Sequence, residues 1–272
     1  MIMGFANDIM ALLKAAGIGF SAKEYDGITL LDTERQGFLA ASINAHSVSI
    51  ALETQKIIKE IISTASARPI VIAEDRWHSD QTGTRNRILA HSGLFRKVFA
   101  RDCVVRRIDK KTAAPFLKDN HSYGDALCRY RYGLYLSRGE GTGLPVGVGE
   151  FSAPRRIKDE DRIVRSFEWV RYASASDTRV LGGMGKILKH FVKETSPDDV
   201  MSYADLEWSD GRAYKELGFS IDGERRPVIF RIDPLTWNRT PVKEGEGGHD
   251  NCLYYINQGS LKYRLRTEKH IL

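Results

Sequence analysis

The chain has 272 residues, 42% hydrophobic and 28% charged, with a formal net charge of +6 and a pI near 9.1. That is ordinary for a globular chain of one large or two modest domains, and no apolar run approaches the ~20 residues of a membrane helix. Three widely spaced cysteines, Cys103, Cys128 and Cys252, argue against a disulfide framework or a zinc knuckle and suit a reducing cytoplasm. The excess positive charge permits a polyanion partner without requiring one. Met1 to Asp8 lacks a basic leader and a long apolar core, so a cytoplasmic protein is expected.

In chain order, residues 6–16 carry apolar residues at helical spacing up to Gly17, and Tyr25–Leu31 predicts a short strand. Ile50–Ser63 predicts an amphipathic helix, Pro69–Ala73 a buried strand and Gly83–His91 a helix. A small α/β domain over 1–98 is the expectation. A second domain, 99–240, follows. It has a strand at Val104–Ile108, a helix at Lys111–Asn120, and a hairpin of Tyr132–Ser137 with Leu144–Phe151. A strand at Ser166–Tyr172 leads to Arg179-Val180-Leu181-Gly182-Gly183-Met184-Gly185-Lys186, a glycine cluster opening an amphipathic helix. A strand at Val200–Leu206, a helix at Trp208–Leu217 and a strand at Val228–Ile232 complete it. Residues 241–272, with Gly245, Gly247, Gly248 and many charges, read as a tail or arm.

The glycine cluster is either a tight turn needed for packing or a phosphate cradle. Glycine lets a ligand approach the backbone, and a helix N-terminus offers unpaired N–H groups and partial positive charge. The order of elements resembles the GNAT superfamily of acetyl-CoA-dependent N-acyltransferases. Its loop pattern is Arg/Gln-x-x-Gly-x-Gly/Ala; Arg179 and Gly182 match the first half and Gly183-Met184-Gly185 the second, one residue late. Ala213-Tyr214-Lys215-Glu216-Leu217-Gly218-Phe219 is similar to that family's late Tyr-x-x-Leu-Gly-Phe helix. A narrower resemblance, over 100–240, is to Mom-type phage and bacterial relatives associated with DNA base modification. It rests on Asn120-His121-Ser122-Tyr123-Gly124, Gly182-Gly183 with Lys186, and Ser202-Tyr203-Ala204-Asp205.

The resemblance implies a mixed central sheet flanked by helices, behind a smaller α/β domain with degenerate nuclease-like features. It implies acetyl-CoA or another acyl-CoA as cofactor, with Arg179, Gly182, Gly183, Gly185 and Lys186 at the pyrophosphate. The acceptor is an unidentified small-molecule or nucleobase amine. The alternative is a Mom-like, DNA-modifying or nucleic-acid-binding protein on the same fold, and a scaffold that binds no CoA is a third reading. Tyr214 matches the tyrosine that protonates the leaving thiolate in many members.

His121, on a loop, is a general base or a capping histidine. Glu168 is either near the acceptor amine or in a cross-strand ion pair. Strand alternation puts Asp205 and Glu207 on one face beyond an apolar strand, where a crevice forms in open α/β sheets; Asp205 is the favoured base. His121, Asp205 and Tyr214 have no local metal-binding spacing, and no metal is expected. In the first domain, Asp26, Asp32, Glu53 and Lys56 resemble a restriction-type nuclease set, but Glu53 and Lys56 fall on a predicted helix where the nucleases use a strand.

Overall fold

The computed structural model describes residues 4–139, 143–159, 162–243 and 251–267. The chain divides into two compact units. Unit one comprises Met1–Leu94, Ala204–Gly211 and Glu224–Ser260; unit two comprises Phe95–Tyr203, Arg212–Gly223 and Leu261–Leu272.

Unit one opens with α1 (Phe5–Ala15), β1 (Phe20–Tyr25), β2 (Ile28–Thr33), β3 (Gly37–Ala41), α2 (Val48–Thr64), β4 (Ile70–Ala73), α3 (Glu74–Ser79) and α4 (Gln81–His91). The strands form one sheet in the order β1-β2-β3-β4, with β3 and β4 parallel. Strand periodicity sorts the core. Phe38, Ala40, Ile70 and Ile72 pack with Phe5, Ile9, Leu12 and Leu13 of α1. Leu39, Ala41, Val71 and Ala73 pack with Ile58 and Ile61 of α2.

Unit two contributes β5 (Arg96–Phe99), β6 (Cys103–Arg107), α5 (Lys110–Asn120), β7 (Tyr130–Leu136), β8 (Pro145–Phe151), β9 (Arg155–Asp159), β10 (Arg162–Ser174), β11 (Thr178–Leu181) and α6 (Gly183–Thr195). Then come β12 (Asp199–Asp205), α7 (Arg212–Glu216) and β13 (Ser220–Arg225), whose last residues belong to unit one. β14 (Ile229–Ile232), β15 (Arg239–Pro241) and β16 (Leu253–Ile256) make a three-stranded sheet of unit one, and β17 (Ser260–Arg266) returns to unit two. The main sheet runs β13-β17-β12-β10-β8-β7-β6, with β9 paired to β10; β5 and β11 form a separate parallel pair. Helices cover both faces. Ala113 and Leu117 of α5 pack on Val148 and Ala173. On the other face Phe191 of α6 stacks on Phe151 at 3.8 Å.

The mixed sheet flanked by helices is the architecture expected. The boundaries differ. Residues 241–272 are not a loose arm where they are described: Tyr254, Tyr255, Ile256 and Tyr263 are buried, while Gly245, Gly247 and Gly248 lie outside the described residues. The strand predicted at 228–232 pairs in the small sheet of unit one, and β13 and β17 take the end of the main sheet. The helix predicted over 208–217 is confined to Arg212–Glu216. Trp208 is instead part of the core of unit one.

Candidate functional site

The parallel pairing of β10 and β12 in unit two is short. These strands pair in parallel only from Ser166–Asp199 to Glu168–Met201. Beyond that, β10 pairs with β8 across a bulge between Trp169 and Arg171, which bends the strand. At the next position the backbone rung is replaced by a side chain. Ser202 Oγ lies 2.8 Å from the Trp169 carbonyl and 2.8 Å from the Tyr214 hydroxyl. The phenol of Tyr214 is therefore held where the two strands part, with its ring stacked on Tyr263 at 5.3 Å. Burial raises its pKa, so it stays protonated at neutral pH and has a proton to give.

The first turn of α6 lies at the end of β11. Gly182 caps it in the left-handed region at φ 75°, which glycine adopts without penalty. A Cβ on Gly183 would stand 2.4 Å from Tyr172 Oη and 3.0 Å from Leu134 Cδ1 and Val180 Cβ. The glycine thus lets the helix start sit against the sheet. The first intrahelical bond runs from Lys186 N–H to the Gly182 carbonyl, so the Gly183, Met184 and Gly185 N–H groups have no acceptor within the helix. Tyr172 Oη is buried there with only the Ser174 hydroxyl near it, outside good hydrogen-bond geometry. Burial pushes its pKa up to about 12, with the Ser174 hydroxyl nearby acting against the rise.

Lys186 does not point at open space. Its ammonium donates to the Ala100 carbonyl at 2.7 Å and to the Cys103 carbonyl, tying the start of β6 to α6. Arg179, on β11, is exposed and lies over the Phe95 ring at 5.5 Å. Gly185 is close to Leu217, whose Cδ2 would be 3.1 Å from an added Cβ.

His121 is the C-cap of α5. Its Nδ1 accepts the Tyr123 N–H at 3.1 Å, the local bond of a capping histidine, which fixes Nδ1 as an acceptor and leaves any proton on Nε2. Arg171 ties this loop to β10 by donating to the Gly124 carbonyl at 3.0 Å. Glu168 is mostly buried and lies 3.8 Å from Arg155. The loop covers a group absent from the sequence reading. Glu150, 0% exposed on β8, accepts from Arg131 at 2.8 Å and from the Ala126 N–H at 3.3 Å. Burial and the neighbouring Asp125 carboxyl push its pKa up to about 7. The signal was an acid inside the apolar run Val146–Phe151, whose cross-strand partner in register is Arg131.

Asp205 and Glu207 belong to unit one, and they do not share a strand face. β12 ends at Asp205, whose Oδ1 accepts the Glu207 N–H at 3.0 Å. That local bond turns the chain and stops the alternation. Glu207 is 2% exposed; it accepts from the Tyr255 hydroxyl at 2.6 Å and lies 3.8 Å from Arg239. Arg239 in turn grips Asp75 by two bonds of 2.5 and 2.7 Å. Burial pushes the Glu207 pKa up to about 7. Among the described residues no group of three or more His, Cys, Asp and Glu side chains could hold a metal ion.

No protein-family model matches the chain, and no curated protein matches it in sequence. Solved structures do. An acetyltransferase of Bacillus subtilis in complex with CoA is 12% identical, with a TM-score of 0.39 over 61% of this chain and 99% of its own. The ribosomal-protein-S18-alanine N-acetyltransferase of Escherichia coli is 10% identical, TM-score 0.38, over 62% and 99%. The NatC complex bound to Gag peptide and CoA contains a chain 13% identical, TM-score 0.37, over 61% and 99%. At these values the likeness carries no chemistry, which has to come from the residues described above.

Proposed function

We propose that unit two transfers an acyl group from acetyl-CoA or a related acyl-CoA to an amine. The observation that carries this reading is the placement of the Tyr214 hydroxyl, through Ser202, at the parting of β10 and β12. A proton donor at the end of a short parallel pairing is placed where a leaving group would be met. The first turn of α6 supports the same reading. The N–H groups of Gly183, Met184 and Gly185 would hold a pyrophosphate, and Gly183 keeps that turn free of a Cβ.

The bound cofactor would supply the activated acyl thioester. Tyr214 keeps its proton at neutral pH and hands it to the departing sulfur. Ser202, whose own proton goes to the Trp169 carbonyl, accepts the Tyr214 proton at rest, and the phenol turns from it to the sulfur. Lys186, held by two carbonyls, adds positive charge one turn into α6 and anchors the loop before β6. Arg179 stands on the strand leading into the cradle. Glu168 is the base of unit two proposed for the acceptor amine; the His121 Nδ1 lone pair is engaged by the Tyr123 N–H, and His121 is proposed to shape the loop beside it. A Mom-type DNA substrate has no observation in its favour.

Calorimetric titration with CoA tests the reading. Binding in the micromolar range is expected, and Met184→Glu should weaken it at least tenfold, because the added carboxylate repels a phosphate at a helix N-terminus while suiting the helix itself. No heat at millimolar CoA, with the protein folded, overturns it.

A further inference from the structure

We propose that Glu150 and Asp125 of unit two share one proton, and that this proton latches the loop between α5 and β7. Glu150 is then a positioning residue for the loop that carries His121 and Tyr123.

Asp125 Oδ1 is buried and has no hydrogen-bond partner among the described residues. Buried polar atoms are nearly always paired. Arg131 Nε does not serve it, because Glu150 Oε1 already accepts that N–H at 2.8 Å while Asp125 Oδ1 lies 3.9 Å away. The group within hydrogen-bond reach of Asp125 is the Glu150 carboxyl itself. Two ionised carboxylates have no hydrogen to place between them; a proton on one of them supplies the missing donor. Glu150 is the one that holds it. It is 0% exposed, whereas Asp125 Oδ2 meets the exposed Lys110 ammonium at 3.5 Å. Burial and the Asp125 carboxyl push the Glu150 pKa up to about 7.

Each element around Glu150 contributes to this balance. β7 supplies Arg131 and β10 supplies Arg171, both opposite Glu150 in register. α5 supplies Lys110. The loop supplies Asp125 and Cys128, whose thiol is kept neutral by burial and by Glu150. The two arginines also hold the loop backbone. Arg131 Nη2 donates to the Ala126 carbonyl at 3.1 Å, and Arg171 donates to the carbonyls of Gly124 and Val170, each at 3.0 Å. Glu150 Oε2 accepts the Ala126 N–H at 3.3 Å. The residues flanking Asp125 are thus held by bonds that need no shared proton, and the Asp125 side chain by one that does.

When the proton leaves, two negative carboxyl groups face each other out of water. Turning Asp125 outward towards Lys110 relieves this and lifts the chain between Gly124 and Ala126. The raised value sets the sign: the latch is complete below pH 4.5 and is lost as pH rises through 7. A carboxyl of pKa about 7 when latched and 4.5 when released lowers the latched-to-released ratio about tenfold between pH 6 and 8. Tyr123 and the 98%-exposed Leu127 ride on this loop. Any effect on the acceptor amine rests on the acyl-transfer reading; the latch itself does not.

Carboxyl carbon-13 NMR and amide hydrogen exchange of the intact chain, from pH 5 to 9 and without substrate, test the proposal whether or not unit two transfers an acyl group. The Glu150 carboxyl should titrate near pH 7, and the Ala126 protection factor, corrected for the intrinsic exchange rate, should fall about tenfold from pH 6 to 8. Glu150→Gln carries a permanent donor and should keep at pH 8 the protection the parent has at pH 6. Asp125→Asn should lower the Glu150 titration by at least about one pH unit. The proposal is overturned if Glu150 titrates below about pH 5.5, if Ala126 protection changes less than about twofold between pH 6 and 8, if Glu150→Gln keeps the parent's slope, or if Asp125→Asn leaves the Glu150 titration where it was.

Discussion

Gly183→Ala is the substitution whose consequence the structure defines most sharply. The new methyl carbon would lie 2.4 Å from Tyr172 Oη and 3.0 Å from both Leu134 Cδ1 and Val180 Cβ. Leu134 is 0% exposed and cannot swing into solvent. Overpacking of this kind costs about 1–3 kcal/mol, against a helix-propensity gain of at most about 1 kcal/mol for alanine over glycine. A net loss of about 1–2 kcal/mol is expected. Tyr172→Phe acts in the opposite sense. It deletes a buried hydroxyl whose one polar neighbour, Ser174, is poorly placed to bond it, and should stabilise unit two by at most about 1 kcal/mol. In the double variant the shortest contact no longer exists, and the two remaining contacts need only a few tenths of an ångström of adjustment. The alanine should then cost about 1 kcal/mol less than it does alone. Urea unfolding of the four proteins closes the cycle. Additivity within about 0.3 kcal/mol, or a neutral Gly183→Ala, would refute the claim that this glycine exists to admit the tyrosine hydroxyl.

Tyr214→Phe should lower turnover at least about tenfold, as loss of a general acid does, while CoA affinity stays within about twofold; release of free thiol measured across a panel of amines separates the two. Asp75→Ala removes both short bonds to the 8%-exposed Arg239 side chain, leaving Glu207 at 3.8 Å to face its charge, and should cost unit one about 3 kcal/mol, seen as an early unfolding transition. Glu207 gives a pH signature. Its folded pKa is raised from 4.5 to about 7, so its contribution is complete below pH 4.5 and is lost as pH rises through 7, by up to about 3 kcal/mol. Glu207→Gln, which can still accept from Tyr255, should flatten that part of the stability profile; an unchanged slope between pH 5 and 8 would refute the assignment.

The elements legible in the sequence are those whose side chains sort cleanly between two environments. β4 is apolar throughout because it is buried on both faces, and α6 follows an unmistakable glycine cap. β13 was missed because every residue of Ser220–Arg225 is exposed or nearly so; with no buried face there is no alternation to read, and pairing to β17, 40 residues on, is a non-local fact. β9 is hidden for the same reason in the basic run Arg155–Lys158. β16 and β17 were obscured by the glycine-rich, charged stretch before them, although Leu253–Ile256 is as apolar as β4.

The site shows the same division. Gly182, Gly183 and Tyr214 stand out in the sequence because they fall within short recognisable patterns, a glycine cluster before an amphipathic helix and Tyr-x-x-Leu-Gly-Phe. Ser202 was quoted within a motif yet given no role, since its role exists only where β10 and β12 separate and a side chain must take the place of a backbone rung. Asp205 and Glu207 illustrate the converse. Two residues apart, they invited a strand-face argument that assumed the strand continued. The Asp205 side chain instead binds the Glu207 N–H and turns the chain where β12 ends. Glu207 then spends its charge on Tyr255 and Arg239 in the interior of unit one. A carboxylate with a pKa pushed up to about 7 would ordinarily be read as a catalytic base; here the cause is burial inside a polar cluster joining Asp75, Arg239 and Tyr255, and its effect is on the stability of unit one.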